Sequence, residues 1–82
     1  MKRRLKDFAA LCGGRLEGED RPWAGVCTDS RQLMPGELYL ALRGPRFDGN
    51  VFVGAAAAAG AAGAVVDRPV EGATLPLIHV QD

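Results

Sequence analysis

Between residues 38 and 66 the sequence changes its apolar period twice, and this change limits the fold more than any other feature. Leu38, Leu40 and Leu42 alternate with Tyr39 and Ala41. That is the period of a strand, and it predicts three leucines on one buried face. Residues 50–59 then turn alanine-rich, and Phe52, Ala55, Ala56 and Ala59 fall on one helical face. Alanine is the strongest helix former, and its small side chain lets a helix lie close on a sheet. Asp48 or Asn50 can cap the helix start by accepting from a free backbone N–H. Gly60 stops it, and Gly63-Ala64-Val65-Val66 reads as the next strand. Strand, helix and strand in this order predict a right-handed parallel crossover. The expected fold class is therefore α/β: a small, mainly parallel or mixed sheet with two helices.

The remaining elements follow from local signals. Leu5, Phe8, Ala9 and Cys12 have the spacing of one helix face, and Gly13-Gly14 ends that helix. Residues 15–17 are a short strand candidate, and residues 18–22 a polar turn. Trp23, Val26 and Thr28 suggest a second strand over residues 23–28. Residues 29–34 are polar and irregular. Pro35-Gly36 fits the centre of a type II turn, because proline presets the first dihedral and glycine supplies the positive one. Residues 67–76 form a loop with two prolines, and residues 77–80 the last strand. At 82 residues the chain is one domain, residues 1–82. A domain this size buries only about 60–65% of its unfolded surface.

Ten basic and ten acidic side chains cancel. A balanced surface provides no basic face for a nucleic-acid backbone or an anionic membrane, so neither is expected as a partner. The ordinary globular composition excludes disorder as the main state. The longest apolar run, residues 51–66, is mostly alanine and is broken by Gly54, Gly60 and Gly63. It is too short and too weakly hydrophobic to insert in a bilayer. Lys2, Arg3 and Arg4 are not followed by the apolar segment of a signal peptide, and the expected location is cytoplasmic. Cys12 and Cys27 lack metal-ligand spacing and are expected as two reduced, partly buried thiols.

No catalytic constellation stands out. The single histidine, His79, lies in an apolar strand with no partner marked by spacing, and is expected to be structural. No Gly-rich Lys-Ser/Thr loop for nucleotide phosphates is present, and no metal ligand set. Two polar clusters differ from this background: Thr28-Asp29-Ser30-Arg31, and Arg43-Gly44-Pro45-Arg46-Phe47-Asp48-Gly49. If they flank one strand pair, they meet in space. Backbone N–H groups and the Ser30 hydroxyl suit an anion, and Arg31 and Arg46 offer planar donors to phosphate oxygens. Phe47 can stack on a flat base or pack inward. The same residues also suit a purely structural role: Asp-Ser in a turn, Arg46 solvated, Phe47 in the core.

Thr28-Asp29-Ser30-Arg31, the Pro35-Gly36-Glu37-Leu38-Tyr39-Leu40-Ala41-Leu42-Arg43-Gly44 run, Arg46-Phe47-Asp48-Gly49, Phe52, the alanines and Gly60-Ala61 closely resemble the N-terminal domain of the Mur ligases. That resemblance covers nearly the whole chain. It implies a domain holding the UDP part of a UDP-N-acetylmuramoyl-peptide for an ATP-dependent peptidoglycan-precursor ligase of the cytoplasm. A central domain would carry the phosphate loop, ATP, magnesium and a catalytic lysine, and a C-terminal domain would help bind the incoming amino acid or dipeptide. The reaction implied runs through an acyl phosphate attacked by an amine. No cofactor is then expected on this domain, and the 82 residues alone are expected to be inactive.

Carried over by position, Ser30 and Arg31 match the pair near the uridine diphosphate. Arg46, Phe47, Asp48 and Gly49 match the segment beside the uracil. Thr28, Asp29 and Asn50 form a second tier, and no residue matches a metal ligand or a catalytic group. Asn50 stands where the family usually has histidine, and can still cap a helix. Within the family, the Arg-Phe-Asp-Gly form and the Leu-Pro-Leu-Ile-His-Val-Gln-Asp ending resemble the member that adds D-alanyl-D-alanine to the UDP-linked tripeptide. The alternatives are the member that adds the third amino acid, and a stand-alone interaction module that kept the fold without the ligand.

Overall fold

The computed structural model describes residues 3–41, 43–44 and 47–81, with backbone alone at 43, 44 and 47. In chain order the elements are α1 (Leu5–Cys12), β1 (Arg15–Glu17), β2 (Val26–Cys27), β3 (Leu38–Leu40), β4 (Arg43–Gly44), β5 (Phe47–Asp48), a 3₁₀ turn (Gly49–Phe52), α2 (Val53–Ala58), β6 (Gly63–Val66) and β7 (Leu77–His79). Five strands form one sheet in the order β1-β7-β6-β3-β2. The pairs β2–β3, β3–β6 and β6–β7 are parallel, and β1 closes the edge antiparallel to β7. The fold is thus the expected α/β type with a mixed sheet. The strand–helix–strand unit is β3–α2–β6, its two strands paired directly with Leu38 opposite Gly63. A separate antiparallel hairpin, β4–β5, projects between β3 and α2.

The sheet is covered on both faces, which changes the reading of its central strand. Leu38 packs with Leu5, Ala9, Val65 and Ile78, on the α1 side. Tyr39 points the other way and packs with Leu33, Val53, Ala56, Ala64, Val66 and Leu77, on the α2 side. Leu38 and Tyr39 are 0% and 1% exposed, so the strand does not have one buried face but two. Parallel strands between two helical layers are apolar on both sides for this reason. Leu40 is half-buried, and Leu42 lies outside the described residues.

The second helix is also rotated from the expected face. It opens as a 3₁₀ turn, and the α-helical part buries Val53 and Ala56 while Ala55 is exposed and Phe52 is 40% exposed. Val53 offers more apolar area than an alanine, and one residue of phase brings it inward. Residues 23–28 form a strand only at Val26–Cys27. Trp23 instead joins the α1 side: its N–H donates to the Arg3 carbonyl at 2.8 Å, and its ring meets Phe8 edge-on at 5.4 Å. The Pro35-Gly36 turn is as expected. Gly36 has φ +87°, and the Glu37 N–H donates to the Met34 carbonyl at 3.1 Å.

Helix α1 has the bounds its spacing predicts, but its start is held from a distance. Arg4 occupies the cap position and provides no side-chain cap. The Lys6 N–H donates instead to Asp20 Oδ1 at 3.0 Å, and the Leu5 N–H to the Arg21 carbonyl at 2.9 Å. Two of the free N–H groups of the first turn are thereby satisfied by the loop after β1. Cys12 lies on the exposed side of α1, contrary to the expected partial burial. Cys27 is half-buried, and both thiols are free.

Candidate functional site

Loops at the carboxyl ends of parallel strands collect ligands in α/β sheets, because strand ends and helix starts leave backbone donors unpaired there. Here the two polar clusters follow β2 and β3, which are paired neighbours with Cys27 opposite Tyr39. The loop after β2 is organised by Asp29. Its Oδ1 accepts the Arg31 N–H at 2.9 Å and Arg31 Nε at 3.1 Å, and its Oδ2 accepts Nη2 at 3.1 Å. The Arg31 side chain, followed by its backbone N–H, holds the Asp29 carboxyl below its ordinary value, and the same contact raises the guanidinium's. The Cys27 thiol donates to the Asp29 carbonyl at 3.2 Å. Ser30 is half-buried at the head of this turn, and no side-chain hydrogen bond involves its hydroxyl among the described residues. Thr28 is exposed.

The second loop is the β4–β5 hairpin, with Arg43 opposite Asp48 and Gly44 opposite Phe47. Arg46 lies outside the described residues, and for Phe47 the backbone position alone is described. Asp48 caps the 3₁₀ turn: its Oδ1 accepts the Asn50 N–H at 3.0 Å. Gly49 and Asn50 are buried.

Tyr39 reaches from β3 to the end of the second loop. Its hydroxyl donates to the Gly49 carbonyl at 2.9 Å. Burial, followed by the charges of Asp29 and Cys27, pushes its phenol above the ordinary value. The hydroxyl thus ties the central strand to the hairpin exit at Gly49. Asp67 and Arg68, just after β6, complete the arrangement. Asn50 Nδ2 donates to Asp48 Oδ1 at 2.7 Å and to Asp67 Oδ1 at 2.8 Å, and Arg68 pairs with Asp48. Neither residue stands out in the sequence. The available signal was the parallel crossover itself, which sets the end of β6 beside the end of β3.

His79 pairs with Val66 on β6 and turns to the β1 edge of the sheet, where its Nε2 lies 2.7 Å from Glu17 Oε1. The carboxylate partner was missed because the antiparallel β1–β7 register, not sequence spacing, brings it close. Among the described residues no group of three or more His, Cys, Asp or Glu could hold a metal ion. No helix among them is long and apolar enough to cross a membrane.

The family model described as "Mur ligase family, catalytic domain" matches residues 22–81. The chain belongs to the Mur ligase family. Mur ligase relatives of two kinds share this sequence. The UDP-N-acetylmuramoyl-tripeptide–D-alanyl-D-alanine ligase of Escherichia coli K12 is 40% identical over 78 residues, covering 95% of this chain and 17% of the relative. The ligase of the same description from Synechocystis is 54% identical over 54 residues, covering 66% of the chain and 12% of the relative. The UDP-N-acetylmuramoyl-L-alanyl-D-glutamate–2,6-diaminopimelate ligase of Gloeobacter violaceus is 48% identical over 61 residues, 72% of the chain and 12% of the relative. A crystal structure of MurF from Acinetobacter baumannii superposes with a TM-score of 0.79 at 28% identity, covering 94% of this chain and 17% of that one. The chain therefore spans less than a fifth of the length of these Mur ligases.

Proposed function

We propose that this chain is the N-terminal domain of a cytoplasmic peptidoglycan-precursor ligase, and that it binds the UDP moiety of UDP-N-acetylmuramoyl-tripeptide so that D-alanyl-D-alanine can be added. What supports this reading is that the Ser30 turn and the β4–β5 hairpin follow two strands that pair directly and in parallel, with Tyr39 of the second strand bonded to Gly49 at the hairpin exit. The Ser30 hydroxyl and the turn's N–H groups would receive the diphosphate. Arg31 would follow by exchanging the Asp29 carboxylate for a phosphate oxygen. Its side chain is 87% exposed, and exposed ion pairs contribute little, so the exchange costs little. Arg46, and the hairpin from Phe47 to Gly49, would lie along the uracil.

ATP and magnesium belong, in this reading, to the remainder of the enzyme, as do the central and C-terminal domains that would be its partners. The sequence holds no phosphate loop, and the described residues hold no metal ligand set, so the residues present do not fit that group. No step of the ligation is assigned to them, and the 82 residues alone are expected to be inactive.

Titration with UDP-N-acetylmuramic acid, followed by backbone amide shifts, tests the reading. Shifts are expected at Ser30, Arg31 and residues 47–49. Silence at those amides at millimolar ligand would overturn it, and would favour an interaction module that kept the fold alone. A second reading shares the site: the likeness to the Gloeobacter ligase favours addition of the third amino acid instead. Both readings use the same two loops for the UDP moiety, and the full-length enzyme separates them by which UDP-linked peptide, dipeptide or tripeptide, it extends.

A further inference from the structure

The sequence leaves Asp67 in a loop, but the structure places it against the candidate site. Three residues from two parts of the fold, β3 and the loop after β6, hold the exit of the β4–β5 hairpin. Tyr39 of β3 holds the Gly49 carbonyl, Arg68 pairs with Asp48, and Asp67 accepts from Asn50. Asn50 is the junction. It is 5% exposed, and both bonds from its Nδ2 end on carboxylate oxygens, 2.7 Å to Asp48 and 2.8 Å to Asp67. Its backbone N–H adds a third contact, to Asp48. An amide is the group that fits between two carboxylates here, because a carboxylate at the same place would donate nothing and repel both. Among the described residues Asn50 Oδ1 is buried without a hydrogen-bond partner, so the amide is oriented by its donor side alone.

We propose that Asp67 is a positioning residue for the site: through Asn50 it fastens the hairpin exit to the end of β6, and so sets where β5 and Gly49 lie relative to the Ser30 turn. This rests on the UDP-binding reading for its consequence, but the fastening itself can be measured without ligand. The bond spans 17 residues of sequence and crosses from one strand end to the next. Its loss would leave the sheet paired and loosen the hairpin exit, which Tyr39 and Arg68 still hold. The conservative change Asp67→Asn keeps a carbonyl oxygen to accept from Asn50, whereas Asp67→Ala removes the acceptor.

The test compares wild type, Asp67→Ala and Asp67→Asn by amide hydrogen exchange and by titration with UDP. In Asp67→Ala, the amides of residues 47–50 are expected to exchange about tenfold faster, as the bond from Asn50 is lost. The amides of Ala64 and Val80, which pair to the Pro76 and Val66 carbonyls, are expected to be unchanged. UDP binding should weaken several-fold in Asp67→Ala and return in Asp67→Asn. Acceleration spread evenly over hairpin and sheet would mean Asp67 serves stability only, and would overturn the proposal. So would unaltered exchange in the hairpin. Wild type that ignores UDP while Asp67→Ala loosens residues 47–50 alone would overturn the binding reading and leave the fastening established.

Discussion

The Tyr39 hydroxyl donates to the Gly49 carbonyl oxygen at 2.9 Å from a side chain that is 1% exposed. This bond joins the central strand to the loop that follows it, and it is sealed inside the α2-side core. Tyr39→Phe removes one donor from a buried carbonyl. Urea unfolding is expected to show a loss of about 1–2 kcal/mol. An unaltered midpoint would mean that solvent already reaches the Gly49 carbonyl.

Tyr39 is also the chain's one tyrosine, so its ionisation can be read directly from ultraviolet absorbance. Its folded value is raised above 10.0, by burial first and by Asp29 and Cys27 next. A raised folded value means the neutral phenol is the form the fold prefers. The stabilisation is complete below the unfolded value near 10 and is lost as pH rises through the folded one. Absorbance titration of the native chain should therefore lag that of the urea-unfolded chain toward higher pH. Coincident curves would place the phenol in water.

Asp20 should control the acid side of stability. Arg4 and the Lys6 N–H hold its carboxyl below the ordinary value. A depressed folded value contributes stability above the unfolded pKa, and that contribution is lost as pH falls through the folded one. The window is therefore below about pH 4. Asp20→Asn keeps an oxygen for the Lys6 N–H but cannot titrate. Its melting temperature is expected to be lower than wild type at neutral pH, and the two should converge as pH falls. Parallel curves would show that Asp20 does not carry the acid transition.

Much of the architecture is legible before any coordinates, for definite reasons. Helix α1 and strand β6 have the bounds read from apolar spacing and glycine stops, because those signals are local. The double burial of β3 has a signal too: Leu38 to Leu42 is apolar throughout, as strands between two helical layers are. Reading only its alternation hides Tyr39. The cap on α1 is not legible, since Asp20 lies fourteen residues from Lys6 and Arg4 gives no hint of it. Asp67 is hidden in the same way, because its partner Asn50 becomes a neighbour only once β3 and β6 pair. At the candidate site, the described residues among those named from sequence lie in two loops that follow neighbouring strands, while Arg46 lies outside the described residues. What spacing could not give is that Arg31 is already engaged by Asp29.

Gly14 is a packing position, not a flexible one. A Cβ there would lie 2.9 Å from the His79 carbonyl oxygen and 2.9 Å from Ile78 Cγ2. Helix α1 can approach β7 only because that atom is missing. Gly14→Ala is expected to cost about 1–3 kcal/mol through overpacking against backbone that cannot yield. Gly13→Ala offers the control. Gly13 has open space but φ +70°, so it should cost only about 1 kcal/mol, as left-handed strain. Chemical denaturation of both variants ranks them, and a larger loss at Gly13 would reverse this account of the helix end.

Ser30→Ala separates binding from folding. The hydroxyl is half-buried in a turn whose geometry comes from Asp29, whose Oδ1 accepts the Arg31 N–H. Removing it should leave the melting temperature unchanged, because the turn keeps its hydrogen bonds. If the hydroxyl receives a phosphate oxygen, affinity for UDP should fall by about tenfold, the worth of one hydrogen bond to a charged group. Asp29→Ala should do the opposite to the frame. It frees Arg31 but releases the turn, so stability falls and the Arg31 amide exchanges faster. Lost stability in Ser30→Ala with normal UDP affinity would make Ser30 a structural turn residue and move the diphosphate elsewhere.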